Sequence, residues 1–141
     1  MVQKVSITIL VIAIITILGI YFMGLPFNVD FADKVYLKFH YGETEIDCEI
    51  TDKNDISELK RLLKTHSYSE KVGGTPACGG FYYKVSLTFQ NENEKVMVCP
   101  GGDTCGSFRI GESDRYFALD DEDKEKFYSI VKKYGMTFPC I

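Results

Sequence analysis

The residues best equipped for chemistry in this chain are its cysteines: Cys48, Cys78, Cys99, Cys105 and Cys140. Five is a high count for 141 residues, and an odd one. In an oxidising compartment such a set reads as disulfides with one thiol left over. In a reducing compartment it reads as thiols or metal ligands. Cys78, Cys99 and Cys105 form the most specific group, because they lie in or beside two glycine-rich loops, residues 67–80 and 99–107. A structural disulfide joining those loops is the expectation, and such a closure contributes on the order of 2–4 kcal/mol. A redox pair is the weaker alternative: no Cys-x-x-Cys occurs, and no cationic neighbour stands out to lower a thiol pKa. Zinc sites usually place ligands in pairs two to four residues apart. The step from Cys99 to Cys105 is wider than that. Cys140 is expected to pair with Cys48 if the C-terminal tail folds under the sheet; otherwise Cys48 is a small hydrophobe.

Little else in the chain points to catalysis. His40 and His66 are the two histidines, and neither belongs to a His-Glu-x-x-His arrangement. No Gly-x-Ser-x-Gly is present. The glycine-rich loop lacks the Lys-Ser or Lys-Thr ending of a phosphate cradle and leads into a strand, not a helix. Asp103 and Thr104 lie between cysteines, but an acid in a turn is ordinarily a turn former. The expectation is therefore no enzyme, no cofactor and no metal.

The elements that must position these residues are legible from periodicity. Val35, Leu37, Phe39 and Tyr41 alternate with polar residues, as do Ile46, Cys48 and Ile50. Gly42-Glu43 between them suits a type II′ turn. That turn pairs Tyr41 with Thr44, Phe39 with Ile46, Leu37 with Cys48 and Val35 with Ile50, and a slip of one residue would scatter the apolar face. A helix follows, capped by Thr51 or Asp52, with Ile56, Leu59, Leu63 and His66 on one face and Leu62 beside them. Residues 81–90 alternate again and return through residues 95–99. Phe89 then meets Val96 and Leu87 meets Val98, which turns Cys99 away from the core, opposite Ser86. Extended further, this register brings Cys105 towards Gly80 and Cys78. A third hairpin is expected from residues 108–110 and 116–119, its register open. Residues 120–134 form the last helix, stopped by Gly135, and the apolar tail at 138–141 is expected to dock back.

The first part of the chain differs in kind. Residues 5–25 carry no charge and are dominated by isoleucine and leucine. At about 1.5 Å per residue, a helix of that length matches the roughly 30 Å hydrocarbon core of a bilayer. Tyr21, Phe22 and Met23 stand where a signal peptidase would need small residues. The reading is an uncleaved anchor. Lys4 and the amino terminus sit closest to the membrane on the short side, so the N-terminus is expected inside and the C-terminal domain outside.

The expected organisation is thus a tail at residues 1–4, a transmembrane anchor at 5–25, a linker at 26–34 and an extracytoplasmic domain at 35–141. The fold class is α+β. An antiparallel sheet in the order β-β-α-β-β-β-β-α carries two helices on one face. From residue 30 onward the chain holds 15 basic against 20 acidic residues, which speaks against nucleic acid. The expected partners are membrane lipid, through the N-terminal helix, and a protein at the cell surface. The expected role is non-catalytic binding or sensing. Two alternatives are thiol-redox or metal handling through Cys78, Cys99 and Cys105, and an inhibitor or immunity module for another protein.

Overall fold

A computed structural model describes residues 9–16, 28–64, 69–70, 80–113 and 115–138 of the chain. Residues 9–16 form helix α1, with Ile9, Leu10, Ile12 and Ile15 exposed. Among the described residues no helix is long and apolar enough to cross a membrane. The rest of the expected anchor, residues 5–8 and 17–25, lies outside the described residues.

The domain is α+β, as its alternation patterns require. In chain order it runs β1 (Lys34–Tyr41), β2 (Thr44–Ile50), α2 (Lys53–Lys64), β3 (Ser69–Glu70) and β4 (Val85–Gln90). It continues with β5 (Lys95–Pro100), β6 (Ser107–Ile110), β7 (Arg115–Ala118) and α3 (Asp121–Lys133). The strands make a single antiparallel sheet in the order β2-β1-β4-β5-β6-β7-β3. Six are full strands and β3 is a two-residue edge.

The first two hairpins have the registers their patterning demands. Val35 faces Ile50, Leu37 faces Cys48, Phe39 faces Ile46 and Tyr41 faces Thr44. Leu87 faces Val98, Phe89 faces Val96 and Gln90 faces Lys95. A slip of one residue would move the buried set into water. The third hairpin, open in the sequence, pairs Phe108 with Phe117 and Arg109 with Tyr116. Two differences stand out. Strand β4 begins at Val85 and not at residue 81, because the chain turns there: Val85 N–H donates to Tyr82 O, leaving Phe81 as a lone bridge to Gly101. Strand β3 was hidden inside the expected 67–80 loop. Two residues show no periodicity, and only the free edge of β7 makes them a strand.

Helices α2 and α3 lie on one face of the sheet. Leu59, Leu62 and Leu63 from α2 and Phe127, Ile130 and Val131 from α3 are buried against Leu37, Phe39, Leu87, Phe89 and Phe108. Asp52 caps α2, its Oδ1 accepting from Asn54 N–H (2.7 Å) and Asp55 N–H (3.2 Å). Asp120 caps α3 by accepting from Asp123 N–H at 2.9 Å. Gly135, at φ +90°, ends α3, with Met136 N–H returning to Val131 O. Phe138 docks on Phe39 and Tyr128, as expected of the tail. The core also reaches back into the expected linker: Val29 and Ala32 are buried, and Asp33 N–H bonds to Gln90 O.

Candidate functional site

Strand parity decides where the cysteines stand. Cys48 is a free thiol, half-buried on the helix-covered face. Burial raises its pKa, and the adjacent Asp47 carboxylate adds to the rise. Cys99 is also free and is fully buried. It points away from the core, as the register required, yet it is not wet. Arg109, directly opposite on β6, packs on it, and Tyr83 lies over the Arg109 guanidinium at 4.6 Å. Burial pushes the Cys99 thiol up, and the hydrogen bond from Arg109 only partly opposes this. Both groups are therefore protonated and poorly nucleophilic at neutral pH.

These placements bear on two pairings that the sequence left open. Cys99 does not join a disulfide with Cys78 or Cys105, because the ladder holds its side chain over the middle of the open face, against Arg109. Cys48 does not pair with Cys140, since its thiol is free. Cys105 is disulfide-bonded. It sits in the loop before β6, where Asp103 Oδ1 accepts its N–H at 3.2 Å and Thr104 takes φ +57°. Asp103 is thus a turn former, as its position suggested. Cys78, Cys140 and His66 lie outside the described residues. Among the described residues no group of three or more His, Cys, Asp or Glu side chains is placed to hold a metal ion. His40 is on the open face, its Nε2 at 2.9 Å from Asp47 Oδ2.

The most apolar concavity lies at the end of the sheet. Tyr41, Phe81, Tyr82, Tyr83, Lys84 and Gly102 line a cleft of about 490 Å³. The β1–β2 turn forms one wall. The segment entering β4 forms the other, and the loop after β5 closes the base through Gly102 N–H to Gly80 O. Gly80 stands at φ +100°, and a Cβ there would meet the Tyr82 hydroxyl at 2.7 Å, so its missing side chain seats the Tyr82 ring. Tyr41, Tyr82 and Tyr83 remain 40%, 51% and 46% exposed. Large half-exposed aromatic rings around an apolar hollow are a common binding surface. Periodicity could not find this site. Tyr41 and Tyr83 fall at strand spacing and read as core, and the turn before Val85 takes Tyr83 off that face.

Two other hollows are polar. The groove between α2 and α3, about 760 Å³, is lined by four carboxylates, three of which already have partners. Asp55 accepts from Lys133 Nζ and Tyr134 Oη, Glu58 from Arg61, and Glu122 from Lys126. The open sheet face carries a shallow cleft of about 520 Å³ bordered by Tyr36, Lys38, Tyr83, Ser86, Lys95 and Met97, with the carboxylates Asp47 and Glu49 on the β2 side.

No protein-family model, curated protein or solved structure matches this chain.

Proposed function

We propose that this is a single-pass membrane protein whose C-terminal domain lies outside the cell and has a non-catalytic binding or sensing role. The aromatic cleft at the sheet end is its contact edge. The observation that carries the reading is the ring of exposed tyrosines around an apolar hollow, at the end of the sheet where Gly80 and Gly102 meet. The uncharged run at 5–25 supports the anchor, since it has the length and composition that a bilayer demands. The disulfide at Cys105 supports an oxidising exterior. With Cys48 and Cys99 free, Cys78 is the partner favoured for Cys105: Gly80 and Gly102 are hydrogen-bonded neighbours, and each cysteine is two or three residues beyond them.

The test uses the full-length chain in its native membrane. Protease added to intact cells should remove the C-terminal domain. Cross-linking followed by affinity capture should recover a partner from the unmutated chain. Tyr41→Ser with Tyr82→Ser should lose that partner while the domain still melts cooperatively, because neither half-exposed ring belongs to the buried core. Unchanged capture by the double variant, or a domain protected until lysis, would refute the proposal.

A further inference from the structure

Arg109 is out of balance. Its Nε and one terminal nitrogen, Nη2, are buried and make no hydrogen bond. Its neighbours are the protonated Cys99 thiol and the face of the Tyr83 ring. Among the described residues no carboxylate forms an ion pair with it. Buried N–H groups left this way lose their hydration with nothing in return, so they call for a partner.

The two free N–H groups belong to the same edge of the guanidinium. Nε–H and Nη2–H point in parallel, the geometry that matches the two oxygens of a carboxylate. The surroundings show how such a group would arrive. Leu87 faces Val98, so Ser86 and Cys99 fall next in line on the open face, with Arg109 and Tyr116 beyond them. The open-face cleft reaches Ser86 and the edge of Tyr83, stopping one strand short of Arg109. Tyr83 is nearly half exposed and belongs to the turn before β4, so its ring is the part of the cover that borders solvent.

We propose that Arg109 anchors a binding site for a carboxylate group, which enters from the open-face cleft beside Tyr83 and takes the free Nε–Nη2 edge in a bidentate pair. One guanidinium matches one negative charge, and its two parallel N–H groups match the two oxygens of a carboxylate. The site lies on the open face, behind Tyr83, and stands whether or not the neighbouring aromatic cleft holds a partner.

The chain has three arginines, Arg61, Arg109 and Arg115, so its side-chain Nε–H signals are few enough to follow singly by NMR of the full-length protein in detergent. Sodium acetate serves as the free-acid probe and N-acetylglutamate amide as the stand-in for a protein side chain. Sodium chloride at equal ionic strength is the control, and inorganic phosphate is the competing oxyanion. The Arg109 signal should move and saturate with a carboxylate probe while the Arg61 and Arg115 signals only drift. Saturation by acetate assigns a free acid, and saturation by the glutamate amide alone assigns a protein side chain; both uphold the site. Arg109→Gln should abolish the saturable response. If that variant does not fold, the titration of the unmutated chain decides alone. A linear drift shared by all three arginines would overturn the proposal and leave water as the partner of Arg109. So would half-saturation by phosphate at a lower concentration than by either carboxylate.

Discussion

Removing the Asp55 carboxylate should loosen the join between the two helices, and by an amount that falls away in acid. Asp55 is only 7% exposed, in the first turn of α2. It accepts from Lys133 Nζ at 2.7 Å and from the Tyr134 hydroxyl at 2.9 Å, both at the far end of α3. A hydrogen bond to a charged group contributes about 1.5–3 kcal/mol when sheltered. The Lys133 side chain is 58% exposed, so its share is screened to less than about 1 kcal/mol. The Tyr134 bond carries the larger part. Asp55→Ala should therefore cost about 2–3 kcal/mol, which is about 8–20 °C in melting temperature for a domain of this size. Tyr134→Phe should cost about 1–2 kcal/mol, and the double variant should cost clearly less than the sum. The Lys133 bond holds the Asp55 carboxyl below its ordinary value, with burial opposing and Tyr134 adding to the depression. A depressed carboxylate contributes stability above its unfolded pKa, roughly 3.9, and loses it as pH falls through the folded value. The gap between the unmutated chain and Asp55→Ala should be flat from pH 7 to about 5 and close below about pH 4. Urea unfolding across that range is the assay. Additive single variants, or a gap that does not narrow as pH falls below about 4, would refute the reasoning.

Three further outcomes follow from the packing. Phe127 is fully buried, edge-on to Phe108 at 4.7 Å, so Phe127→Ala should cost about 3–5 kcal/mol and largely abolish the cooperative melt. Gly135→Ala should cost more than about 1 kcal/mol through the positive φ, and shortening the facing side chain with Ile46→Val should not recover it. An alkylating reagent should reach Cys48 before Cys99, whose modification should follow global unfolding. Equal rates would contradict the burial of Cys99 beneath Arg109.

Local pattern was enough for much of this fold. Alternation of apolar side chains specified both early hairpins to the residue, because a sheet with one wet face tolerates no slip. Acid caps and apolar stripes placed α2 and α3, and Gly135 ended the latter. The uncharged run at 5–25 was equally plain as composition. Tertiary structure alone decided the rest. Helix α2 carries the chain back so that β4 lies beside β1, and the sheet order follows from that crossing, which no local window contains. The pairing of β3 depends on an edge made 45 residues later, at Arg115 and Tyr116. The state of each cysteine was hidden for the same reason. Residue type marks a thiol, but pairing depends on where partners from distant strands arrive, and Arg109 reaches Cys99 only across the β5–β6 ladder. That meeting also strands a guanidinium edge in the interior, an imbalance of charge and hydration that exists only once the strands are side by side.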